Sequence, residues 1–192
     1  MTIEQLAGWS ALVAAVASVV GAVFLGLFFS RGQPWGTWND IASIVLMLAM
    51  VPVALVVAAI ESELFATYAW LAAGIGVLGM LVATVAQALL VARVRTYEQL
   101  LPGTLGGGAI VGFWYVLAGL LGFNAIGSPL AALMVASGVG FVAIGYGFAA
   151  GGQRHPLSAI GGVVLLIGST AFLGWLGWRL VSGDLVVPSW NA

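Results

Sequence analysis

The chain has 192 residues, of which 62% are hydrophobic and 6% charged, with a net charge of −1 and a mean hydropathy of +1.17. A soluble domain carries about 25% charged residues, so this sequence cannot build a water-facing surface. Soluble enzymes, nucleic-acid binders and disordered regulators are thereby excluded, and an all-α, polytopic integral membrane helix bundle is expected, in one domain over residues 1–192.

A hydrocarbon core about 30 Å thick needs roughly 20 apolar residues per helix. Six stretches qualify, over residues 9–29, 41–60, 68–92, 106–123, 130–150 and 157–180. They are continuous rather than alternating, which argues against barrel strands of about ten residues. The first residues, Met1 to Gln5, lack the positive charge of a secretory leader, so the first stretch is read as a retained helix. Asn39 and Asp40 are placed to cap the second helix, and Pro52, in mid-span, is expected to free the Leu48 carbonyl and kink it. Pro102, Pro129 and Pro156 stand before or at helix starts, where a missing N–H costs nothing.

Orientation follows from arginine placement. Arg31, Arg93, Arg95 and Arg154 fall in the first, third and fifth loops, and Arg179 alone falls on the other side. This count puts both termini on the non-cytoplasmic side. Trp9, Trp35, Trp38, Trp70, Trp175 and Trp178 fall near expected interfaces, whereas Trp114 does not. Three spans on either side of the 93–108 connection would give the inverted topology of many transporters, although the two halves look little alike.

No Cys is present, which excludes disulfides and thiolate metal sites, and a single His excludes a multi-histidine metal centre. No metal and no catalytic set is expected, and no cofactor can be named. His155, followed by Pro156, is the one candidate axial ligand for a haem or pigment, and a lone histidine has many other uses. Gly74-x-Gly76-x-x-Gly79 has a dinucleotide spacing but lies inside a membrane stretch, so close helix packing is the better reading. Gly108-x-x-x-Gly112 and Gly147-x-x-x-Gly151 read the same way, for internal packing or a homo-oligomer contact.

Gly76, Met80, Thr84 and Gln87 share one helical face that should look into the bundle. Thr84, Gln87, Trp114, Tyr115 and Tyr146 are the candidates for lining an internal cavity, against a simpler role in packing and interhelical hydrogen bonding. Glu61, Glu63, Arg179 and Asp184 are candidates for a charged cluster at the outer face, against the simpler reading of solvated helix ends. No ionisable residue is expected at a midplane, which disfavours a proton-driven carrier.

Five phrases resemble a group of small six-helix bacterial membrane proteins of unknown function, the DUF4386-like group. They are Pro34 to Asp40, Gly112-Phe113-Trp114, Ser137 to Gly140, His155-Pro156 and Trp175 to Leu180. The resemblance implies six spans and brings no catalytic residues with it.

The expected function is that of a non-catalytic subunit or scaffold binding membrane lipid, pigment, other membrane subunits or further copies of itself. A channel or facilitator for a small neutral or apolar solute is the alternative, and an intramembrane enzyme comes last.

Overall fold

The computed structural model describes residues 2–187, and the elements among them are all helical. Five α-helices follow one another: α1 (Ile3–Arg31), α2 (Trp35–Val91), α3 (Tyr97–Leu121), α4 (Ser128–Gly151) and α5 (Pro156–Ser182), with one 3₁₀ turn at Gly152–Arg154 before α5. Each is long and apolar enough to cross a membrane.

The helix count differs from the six expected, because the second and third stretches run on as one element, α2, of 57 residues. The Glu61-Ser62-Glu63 segment between them stays helical, and only Phe65 leaves helical angles, at φ −141° and ψ 50°. That one residue bends α2 back on itself. Ala58 packs in one buried cluster with Ala69 and Ala73. In a straight helix, residues 15 positions apart are about 22 Å apart, too far to touch. Pro52 lies within α2 without any departure from helical angles, so the sharp change of direction comes at Phe65 instead.

Helix starts also differ from expectation where a side-chain cap went unread. α2 begins at Trp35, ahead of Asn39 and Asp40, and Gln33 Oε1 accepts from the Thr37 backbone N–H and hydroxyl. α3 begins at Tyr97 rather than near residue 106, because Thr96 and Gln99 form a reciprocal capping box, and Pro102 falls inside the helix. Thr2 and Gln5 form the same box at the start of α1.

Sequence neighbours pack together, and α1 closes the ring against α5. Glycines let the seams close to backbone contact. Gly8 meets the Gly177 carbonyl between α1 and α5, Gly112 and Gly138 meet between α3 and α4, and Gly140 and Gly161 meet between α4 and α5. A Cβ at Gly138 would stand 2.5 Å from the Gly112 carbonyl oxygen. Such close approach is how helices associate where lipid supplies no hydrophobic drive. The Thr170 hydroxyl adds a 3.3 Å bond to Ser18 Oγ across the α1–α5 seam.

This antiparallel order gathers Arg31, Arg93, Arg95 and Arg154, all exposed, at one end of the bundle. The opposite end carries the bend at Phe65, the 122–127 turn and the segment after α5.

Candidate functional site

The centre of the bundle is solid. Trp114 and Tyr115 are both fully buried, with ring centroids 4.7 Å apart. Tyr115 stands edge-on to Phe172 of α5 at 5.8 Å and stacks with Phe141 of α4 at 6.3 Å. Its hydroxyl approaches Met50 Sδ of α2 at 3.9 Å. A Cβ at Gly76 would stand 2.5 Å from Trp114 Cγ, so that glycine is the recess into which the indole fits. Trp114 and Tyr115 therefore pack into the interior, each in contact with rings or glycine recesses of neighbouring helices.

The remaining cavity candidates are dispersed. Tyr146 is exposed and turns to the edge of the His155 ring, at 6.2 Å. Thr84 is half-buried and Gln87 buried, on the inward stripe that also holds Gly76 and Met80. Among the described residues, Thr84 Oγ1 and Gln87 Oε1 have no partner, and neither does Thr104 Oγ1 on α3. His155 has a local task, since its Nδ1 accepts from the Leu157 backbone N–H and caps α5. A groove with room for a ligand lies on the outside, between α1 and α2. It holds about 500 Å³ and is lined by apolar residues running from Trp9 through Val16 and Phe24 to Trp38.

Among the described residues, the bonds formed by the four outer charges do not join them to one another. Glu63 and Asp184 are exposed, and Asp184 accepts from the Ser182 hydroxyl at 2.7 Å. Arg179, half-buried, donates to the Ile126 carbonyl at 3.1 Å and so ties α5 to the α3–α4 turn. Glu61 is different, because its side chain is 0% exposed and neither carboxyl oxygen has a partner among the described residues. It sits on α2 one turn before the bend, against the C-terminal end of α3, where a Cβ at Gly122 would stand 2.8 Å from Oε1. That same spot is bordered by the Ala118 carbonyl at 3.0 Å and Ile126 Cδ1 at 3.1 Å.

Sequence reasoning placed Glu61 in a loop touching water. The missed signal is helical spacing: Val53, Val57 and Glu61 recur every four residues, so the carboxyl continues the buried face of α2. No family model matches the chain, and no curated protein or solved structure is similar to it.

Proposed function

We propose that the chain is an integral membrane protein crossing the bilayer six times, and that it serves as a non-catalytic subunit or scaffold. The observation that carries this reading is the sealed aromatic centre around Tyr115, set beside an apolar groove on the outer surface between α1 and α2. A solid interior suits a packing element, and an outward groove suits lipid tails, pigment or a neighbouring helix. Six crossings are supported by the bend at Phe65. A straight helix of that length would extend about 86 Å, against a hydrocarbon core of about 30 Å. The arginine-bearing end is the cytoplasmic one on the positive-inside rule, with both termini outside.

Purification in mild detergent followed by identification of co-purifying chains, lipids and pigments tests the assignment. A stoichiometric companion is the expected result, and a clean monomer without bound lipid or pigment overturns it. A reporter fused at the C-terminus should respond as outside, and a cytoplasmic response reverses the orientation. The alternative, a facilitator for a small neutral solute, draws on the unpartnered oxygens of Thr84, Gln87 and Thr104 at the α2–α3 seam. It requires flux in proteoliposomes that Gln87→Leu removes.

A further inference from the structure

We propose that Glu61 is a proton-binding site, a carboxylic acid inside the bundle that takes up and releases a proton at the end holding the α2 bend. The inference is independent of the subunit reading and rests on the surroundings of one side chain.

An ionised carboxylate buried without a counter-charge is heavily penalised, whereas the neutral acid needs only one acceptor for its O–H. No cation meets Glu61. Among the described residues Arg179 is the one basic side chain at this end, and its guanidinium is engaged on the Ile126 carbonyl. Among the described residues the other ionisable groups here are Glu63 and Tyr68 on α2 and Asp184 after α5, all exposed, and Glu4 in the first turn of α1.

What Glu61 does face is the last turn of α3. The final carbonyls of a helix lack intrahelical partners and carry the negative end of its dipole. Such an environment repels a carboxylate and accepts a hydrogen bond from a carboxylic acid. The Ala118 carbonyl, which already accepts from the Gly122 backbone N–H at 2.8 Å and keeps one lone pair for a second donor, borders the same spot as Glu61 Oε1. That spot is open only because residue 122 has no side chain.

Ile126, Leu185 and Val187 are buried in one cluster with Ile60, the neighbour of Glu61. Among the described residues, a backbone bond from the Leu185 N–H to the Arg179 carbonyl, at 3.1 Å, holds the segment after α5.

Infrared spectroscopy of the full-length protein in micelles reads the acid directly. The wild type should show a protonated-carboxyl C=O band that shifts in D₂O and weakens as the pH is raised. Glu61→Gln should lose the band entirely, and Glu63→Gln should keep it. If Glu61→Gln fails to fold, Gly122→Ala supplies the check, because its methyl would press on Oε1 and must move the band. Absence of the band in the wild type, or its persistence in Glu61→Gln, overturns the proposal. Bleaching of the band by sodium at constant pH also overturns it, and makes Glu61 a metal-cation ligand instead.

Discussion

Two places in the bundle use the same device for opposite ends. In the middle, Gly76 leaves a recess and Trp114 fills it; near the α2 bend, Gly122 leaves a recess and the carboxyl of Glu61 fills it. Both side chains are buried to the same degree, at 1% and 0% exposure. The indole gains dispersion contacts on every side, so its position stabilises the fold. The carboxyl gains no partner and keeps the cost of leaving water. Burial alone therefore does not separate structure from function, and the separation comes from what the buried group touches.

The largest effect should come from emptying the central recess. Trp114→Ala is expected to lower the unfolding free energy in micelles by about 3–5 kcal/mol, the usual range for deleting a large buried ring. A loss below about 1 kcal/mol would mean that the aromatic centre is not what holds the helices together. Gly76→Ala should follow, at about 1–3 kcal/mol, because the added methyl overpacks the indole. In the double variant the cost of Gly76→Ala should largely vanish, since the clashing ring is gone. Additive losses would show that Gly76 acts through something other than Trp114.

Much of this arrangement was visible in the sequence, and its gaps have physical reasons. The apolar runs marked the all-helical, span-length character of the chain, because length and hydropathy decide what can satisfy its backbone in lipid, but not the number of helices or the starts of α2 and α3. Trp114 stood apart from the other tryptophans considered, and it is the one that turned inward while Trp9, Trp38 and Trp178 are exposed. The bend at Phe65 was hidden, because no Pro or Gly marks it and Glu61 and Glu63 read as a loop. Glu61 was misplaced for the same cause: charge type suggested water, while helical phase with Val53 and Val57 put it inside. The packing of Trp114 and Tyr115 was not readable at all. Polar and aromatic residues within a span can line a space or fill it, and only the packing partners on α4 and α5 decide which.

The comparison sharpens at the other recess. Glu61→Met keeps the volume and removes the unpartnered polar atoms, so stability should be unchanged or raised by up to about 2 kcal/mol. The same measurement that falls for Trp114→Ala should therefore hold or rise here. A loss of more than about 2 kcal/mol would mean that the carboxyl has a structural partner, and the contrast between the two sites would disappear.

The smallest effect should belong to Tyr115→Phe, and it tests whether the centre is apolar in practice. The Tyr115 hydroxyl has a single contact, Met50 Sδ at 3.9 Å, and thioether sulfur is a weak acceptor. The ring contacts to Trp114, Phe141 and Phe172 all survive the substitution. What is lost is a weak bond, and what is relieved is the desolvation of a buried hydroxyl, so the two terms nearly cancel. The unfolding free energy should change by less than about 1 kcal/mol. A drop well beyond that would show that the hydroxyl serves a better acceptor than sulfur. In that case the middle of the bundle, like the Glu61 end, would hold a polar group placed for a purpose other than packing.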